Sequence, residues 1–309
     1  MKVLEFLRSR LWYRTVVTSR LFRPFLRVLP RRTSFRILKR LGPVSVRIKL
    51  GAQSFWIVTS SEDDHYMDAM LNGLRGWEAE SLRSWVELCS KGGTVVDVGA
   101  YGGVYTAIAI ASGADRVIAY EPNPVMFTRL ESTVAINHQS GRVTARNVAL
   151  SSFAGSSTLF VLDGRSGTSG ARLEDAPRDS EYTWAAGPVV SVTTLQDELE
   201  MLGVSSVSAL KIDVEGLESE VLEGARDLLR KQSPTLIVEC LTESALDKVT
   251  AILAQFGYGS ASPLDHPRSS PEGALAIFGA GNFLFRPEVS DSQSTGFGKK
   301  REYSPYGNE

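Results

Sequence analysis

The apolar positions of this chain alternate between two rhythms from Thr94 to Phe256. Five short runs, Thr94–Val98, Arg116–Glu121, Val143–Ala149, Ala209–Asp213 and Thr235–Cys240, have the length and continuity of strands in a buried sheet. Between them, at Gly103–Ser112, Pro124–Asn137, Leu217–Arg230 and Glu243–Phe256, apolar side chains recur at helical spacing. The alternation predicts an α/β fold, a doubly wound and mainly parallel sheet covered by helices on both faces. Ser156–Leu162 and Pro188–Val192 read as additional strands ahead of a helix at Leu195–Leu202. Ala274–Phe278 and Asn282–Phe285, joined by a Gly-Ala-Gly turn, read as an antiparallel hairpin closing the C-terminal end. Upstream, Val44–Leu50 and Ser54–Val58 predict a hairpin around Gly51, followed by helices at Asp63–Leu74 and Ala79–Cys89.

Two polar stretches break this pattern. Asp163–Gly187 is rich in Gly and Ser and is either a lid on the substrate side or disordered. Glu288–Glu309 has the composition of a disordered tail. The resulting organisation is a basic arm over residues 1–43, one domain over 44–287 and a tail over 288–309.

The first strand breaks into Asp97-Val98-Gly99-Ala100-Tyr101-Gly102-Gly103 before its helix, and the second ends on Glu121. Strand, glycine turn, helix, strand and acid build a nucleoside pocket. The glycines permit close backbone approach, and the acid accepts hydrogen bonds from ribose hydroxyls. The glycines lack the G-x-G-x-x-G spacing of a dinucleotide site, and Asp97 stands where it would repel a phosphate. An NAD(P)-dependent oxidoreductase is therefore disfavoured. A ligand bearing a sulfonium and an ammonium, S-adenosylmethionine, suits an acid at that place. Asn147 and Ala149, ending the third strand, lie where an adenine edge would be read, and Trp77 and Tyr101 could stack on the base. Asn123 and Pro124 suit the start of the following helix.

In Leu210-Lys211-Ile212-Asp213-Val214-Glu215-Gly216, charged and apolar residues alternate, which places three charges on one strand face. Charges inside a parallel sheet are costly unless they pair or bind something. Asp213 and Glu215 fall at the strand's C-terminal end, where open α/β sheets bind ligands. Glu239 occupies the corresponding place on the next strand. A self-satisfied network around Lys211 and a catalytic cluster are both compatible with this pattern. Three carboxylates at one edge could hold Mg²⁺, but no spacing requires it, and no metal is assigned.

Charge changes the picture at the N-terminus. Residues 1–40 carry twelve basic side chains and one acid, interleaved with Leu, Phe and Trp, in a chain whose net charge is −1. No apolar run approaches the roughly 18 residues of a membrane span. The arm reads as an amphipathic segment on an anionic membrane, as a helical arm over the domain, or as a transit peptide. The acidic remainder argues against nucleic acid as a partner. Two distant cysteines, Cys89 and Cys240, point to reduced thiols in a cytoplasmic protein, and His65, His138 and His266 are scattered. Oligomeric state is not legible.

The ordered set resembles one family. It comprises Asp97-Val98-Gly99-Ala100 with Gly103, Tyr105 and Thr106; Glu121-Pro122-Asn123-Pro124; Asn147-Val148-Ala149-Leu150-Ser151; Lys211-Ile212-Asp213-Val214-Glu215-Gly216 with Glu218; and Glu239. Together these resemble the FkbM methyltransferases between about Gly76 and Phe285. Tyr101 stands where that family usually has Asn, and Gln196 where it usually has Asp. The resemblance implies a seven-stranded class I methyltransferase sheet, S-adenosylmethionine as cofactor and O-methylation of a saccharide, glycolipid or secondary-metabolite hydroxyl. It places Glu78, Asp97, Gly99, Ala100, Tyr101, Gly103, Glu121, Asn123, Asn147 and Ala149 around the cofactor. Asp213, Glu215 and Glu239 are candidate bases, with Lys211 holding them ionised. A membrane-docked scaffold that kept the fold without turnover is the alternative.

Overall fold

In the computed structural model, residues 44–50, 53–59, 78–162, 171–172, 184–264 and 281–288 are described. In chain order the elements are β1 (Val44–Leu50), β2 (Gln53–Thr59), α1 (Ala79–Cys89), β3 (Thr94–Val98), α2 (Val104–Ser112), β4 (Arg116–Tyr120), α3 (Pro124–Ile136) and β5 (Val143–Arg146). There follow β6 (Ala149–Leu150), β7 (Gly155–Leu162), β8 (Ala171–Arg172), β9 (Trp184–Thr193), α4 (Leu195–Met201) and β10 (Ala209–Ile212). The last are α5 (Glu218–Glu223), α6 (Arg226–Gln232), β11 (Thr235–Cys240), α7 (Glu243–Ala254), β12 (Ser262–Pro263) and β13 (Gly281–Phe285).

Seven strands make the main sheet in the order β12-β13-β11-β10-β3-β4-β5. The five from β11 to β5 are parallel, and β13 runs antiparallel to both neighbours. The chain winds from β3 out to β5, then returns to place β10 on the other side of β3. Winding therefore reverses between β3 and β10, and the loops leaving their carboxyl ends diverge around a crevice.

Alternate strand residues pack on opposite faces. Val95, Val117, Ala209 and Ile237 pack under α1 and α2 with Trp85, Ala107 and Ile108, all buried. Val96, Val98, Ile118, Leu210, Ile212, Leu236 and Val238 pack under α4 to α7 with Leu195, Leu222, Leu229 and Leu253. On β3, β10 and β11 the second face is apolar along its length. The first carries Asp97 and Lys211, which are register partners on β3 and β10.

Four departures from the sequence pattern have local causes. The expected strand Val143–Ala149 stops at Arg146. Asn147 turns its amide onto the carbonyls of Glu121 (2.8 Å) and Pro122 (3.0 Å), and Ala149 enters a second sheet, β6-β9-β7-β8. The expected helix Leu217–Arg230 is two helices. Gly224 between them lies against the Ser151 carbonyl, where a Cβ would come within 2.1 Å. Within the expected polar loop Asp163–Gly187, residues 171–172 and 184–187 belong to strands β8 and β9. Finally, β13 pairs with β11 and β12, while Ala274–Phe278 lies outside the described residues.

The basic arm, the Asp63–Leu74 helix, His65, Trp77 and the tail from residue 289 also lie outside them. Among the described residues no helix is long and apolar enough to cross a membrane.

Candidate active site

The turn after β3 lies close against the backbone beyond β10. Gly99 and Ala100 donate their N–H groups to the Tyr120 carbonyl at 3.0 and 2.9 Å, which ties the turn to the end of β4. Gly99 has φ +80°, and a Cβ there would lie 1.8 Å from the Asp213 carbonyl oxygen beyond β10. Gly103, with φ +87°, starts α2, and a Cβ there would lie 2.8 Å from Leu130 of α3. Both glycines thus serve contacts of chain on chain, which the ligand-centred reading of the motif left out.

Glu121 follows β4 and is buried. One carboxylate oxygen accepts from the Tyr101 N–H and the other from the Asn123 N–H, each at 2.8 Å. Burial pushes its pKa up to about 7. The two N–H groups work against that shift, and the nearby Asp97 and Asp213 charges add to it. Asn123 itself caps α3 by accepting from the Val125 N–H at 3.0 Å, so its structural part is plain. Asn147 acts through the same loop, because its amide holds the Glu121 and Pro122 carbonyls in place. Ala149 is buried among Leu159, Val190 and Val192 of the second sheet.

At the centre stands Lys211, its side chain 1% exposed. Its Nζ lies 2.6 Å from Asp213 Oδ2 and 4.2 Å from the centre of the Tyr105 ring. Burial works to lower its pKa, but the Asp213, Glu78 and Asp97 charges outweigh it and hold the ammonium above its ordinary range. Tyr105 in turn donates its hydroxyl to Glu78 at 2.6 Å, and its carbonyl accepts from the Trp85 indole at 2.9 Å. Asp97, also buried, accepts from the Thr106 hydroxyl at 2.6 Å. Burial raises the Asp97 pKa, and Lys211 and Thr106 lower it in part. A buried charge survives only with partners of this kind.

The expected third charge on the β10 face is displaced. The strand ends at Ile212, Asp213 keeps one further bond from its N–H to the Val98 carbonyl (3.0 Å), and Glu215 has left-handed backbone (φ 59°). Period-2 alternation therefore ends before Glu215. The loop is held by Glu218, whose buried carboxylate accepts from the N–H groups of Gly216 (2.9 Å) and Val214 (3.3 Å). Glu239 is partly buried at the end of β11. Burial and the charges of Asp213 and Glu215 raise its pKa well above the usual carboxylate range. Glu78 (φ 45°) and Tyr101 (φ 51°) share the left-handed conformation of Glu215, so three strained non-glycine backbones gather here, as they do at functional sites.

Tyr105, Thr106, Trp85 and Glu218 shape the cluster. The sequence singled out Tyr105, Thr106 and Glu218 only through the resemblance, and Trp85 only as part of the expected helix Ala79–Cys89. No periodicity marks a helix tyrosine as the seat of a lysine from a distant strand. Among the described residues no group of three His, Cys, Asp or Glu side chains is arranged to hold a metal ion.

The donor set fits S-adenosylmethionine. Its sulfonium and ammonium would meet an acid-rich crevice, and its ribose diol would meet Glu121 at the tip of β4. A pyrophosphate would instead face the carboxylates of Asp97, Glu121 and Asp213.

Residues 97–259 match the family model of the methyltransferase FkbM domain. Methyltransferase sdnD of Sordaria araneosa is 27% identical over 188 residues, covering 53% of this chain and 73% of its own. The 31-O-demethyl-FK506 methyltransferase FkbM of Streptomyces tacrolimicus is 29% identical over 201 residues, covering 57% and 76%. Among solved structures, the methyltransferase FkbM from Methylobacillus flagellatus superposes with a TM-score of 0.44 at 17% identity, over 62% of this chain. The match spans 43% of that solved chain.

Proposed function

From the premise that this chain belongs to the FkbM methyltransferase family and takes its methyl group from S-adenosylmethionine, we propose that it methylates a hydroxyl oxygen. The acceptor classes are a saccharide, a glycolipid or a secondary metabolite. The observation that carries the reading is the Lys211–Asp213 pair at the point where the sheet winding reverses. One member is sealed in the sheet, and the other is 22% exposed at the crevice. The 31-O position in the name of the Streptomyces relative supports oxygen as the acceptor atom.

When bound, S-adenosylmethionine would supply an electrophilic methyl carbon whose bond to sulfur breaks as the acceptor oxygen takes it, with S-adenosylhomocysteine as the leaving group. Asp213 takes the proton of the acceptor hydroxyl as the oxygen–carbon bond forms, since a neutral alcohol is a weak nucleophile. Lys211 fixes the Asp213 carboxylate, and the Tyr105 ring with Glu78 fixes Lys211. Glu121 orients the nucleoside end, and Asp97 lines the turn beside it. Glu215 and Glu239 complete the acidic wall on the acceptor side.

Asp213→Asn is expected to lower turnover at least about 100-fold, the usual contribution of a general base. Its affinity for S-adenosylhomocysteine should stay within about threefold. Labelled methyl transfer to a panel of hydroxyl acceptors, with calorimetry alongside, reads both. An active variant would remove Asp213 as the base.

Glu121 supplies a pH test. Ligand hydroxyls donate to its ionised form, so S-adenosylhomocysteine should bind about tenfold tighter at pH 8 than at pH 6 if ionisation near pH 7 limits binding. Glu121→Ala should weaken binding and flatten that dependence. The unliganded fold responds with the opposite sign. Its raised pKa makes the native state bind a proton that the unfolded chain releases, so stability falls as pH rises from about 4.5 to about 7.

A further inference from the structure

A second cavity lies outside the crevice. It measures about 300 Å³ and runs between α2 and α3 beneath β2, walled by Phe55, Ile110, Val134 and Val143. It exists because α2 presents Ala107 and Ala111 toward it and ends at Gly113 beside it. Side chains this small leave open the space that packed interiors normally fill. The volume is at the lower end of the ~300–1,000 Å³ typical of small-molecule sites.

Two features give the space a chemistry. Arg142 lines it, with its guanidinium hydrogen-bonded to the backbone carbonyls of Ala114 and Asp115 and with no carboxylate partner among the described residues. Ser54, Thr133, Asn137 and Gln139 line the cavity beside the apolar residues, and Arg142 is itself solvent-exposed. An apolar patch next to polar groups and a cation with no carboxylate partner among the described residues suits a compact carboxylate with an apolar body. The second feature is reach. Thr106 and Thr133 both line the cavity. The Thr106 hydroxyl donates to Asp97 at 2.6 Å, and the Thr133 hydroxyl donates to the Gly102 carbonyl of the glycine turn at 2.8 Å. The helices that bound the cavity also begin directly behind Gly103 and Asn123. A ligand that shifts α2 against α3 therefore moves both walls of the nucleoside pocket.

We propose that this cavity is a second ligand site, for a small amphipathic carboxylate, whose occupancy alters cofactor affinity through Thr106 and Thr133. The coupling rests on the crevice being the cofactor site; the cavity itself does not.

The test uses the full chain with benzoate as the probe and benzyl alcohol as its uncharged counterpart. Calorimetry should give saturable single-site binding of benzoate, at least about tenfold tighter than benzyl alcohol. Ala111→Leu, which fills the space, should abolish that binding while circular dichroism shows a retained fold. Arg142→Gln should weaken it about tenfold. At saturating benzoate the S-adenosylhomocysteine affinity should change by about fivefold or more, with the reciprocal change in benzoate affinity that linkage demands. No saturable binding, or full binding by Ala111→Leu, overturns the site. Equal binding of benzyl alcohol overturns the anionic assignment, and unchanged S-adenosylhomocysteine affinity overturns the coupling. Should the free protein fail to bind S-adenosylhomocysteine at all, the cofactor reading fails by itself, and the benzoate titration still judges the cavity.

Discussion

Gly99→Ala is expected to eliminate S-adenosylhomocysteine binding and to destabilise the protein by about 2–5 kcal/mol. Left-handed backbone costs a residue with a Cβ about 1–2 kcal/mol. The new methyl would also sit 1.8 Å from the Asp213 carbonyl, an overlap that only backbone movement can relieve, and such overpacking costs about 1–3 kcal/mol more. The movement separates β3 from the loop after β10, so it opens the crevice between them. Urea denaturation and calorimetric titration on the same preparation read the two effects. Gly141→Ala is the control, because no atom lies within 4 Å of a Cβ at that position. It should change stability by no more than about 0.5 kcal/mol. A Gly99→Ala protein with wild-type stability and affinity would mean that the two loops do not meet as described.

The second large effect is Lys211→Met. Methionine matches the length of the aliphatic stem but leaves Asp97 buried with only the Thr106 hydroxyl as its named side-chain partner. Removing one member of a buried ion pair costs about 3–5 kcal/mol, most of it from the charge left behind. The deficit should depend on pH in a set direction. Asp97 already has a raised pKa, and Lys211 is among the influences that lower it. Its loss drives the carboxyl higher, so the native variant holds a proton that the unfolded chain releases above about pH 4. Stability relative to wild type then declines as pH rises. Urea midpoints at pH 5 and pH 8 should diverge accordingly. Lys211→Met combined with Asp97→Asn should recover part of the loss at pH 8, since the orphaned charge is gone. A deficit equal at both pH values, with no recovery in the double variant, would place the cost in packing alone.

Much of this site was legible in the chain. Asp97, Gly99 and Glu121 stand where apolar strand runs end, and strand ends at a winding reversal face the crevice. Lys211 and Asp213 were conspicuous because a parallel sheet has no use for unpaired charge. Other parts depended on contacts that no local pattern encodes. Asn147 breaks its strand because two carbonyls near Glu121 await donors. Gly224 splits a helix that looks continuous, because the Ser151 carbonyl occupies the space where a side chain would extend. Glu215 follows the alternation of its neighbours in sequence, yet the chain turns before reaching it. Tyr105 occupies an ordinary buried helix position and becomes informative only once β10 lies beneath it. The local rules found the strand ends, and long-range contacts decided what each side chain does there.

The register pairing of Asp97 with Lys211 also constrains how the molecule forms. The β3–α2–β4–α3–β5 half could collapse early from contacts close in sequence. Its central strand, however, carries a carboxyl that has no buried cation until a strand made much later in synthesis slides in beside it. Contacts between distant stretches form slowly, because loop closure opposes them. An emerging chain should therefore keep the β3 edge open and hydrated until β10 arrives, and docking of β10 would be a late, cooperative step. In pulse-labelled hydrogen exchange, amides of β4 should gain protection before those of β10, and Lys211→Met should slow the acquisition of protection in β10 more than in β4.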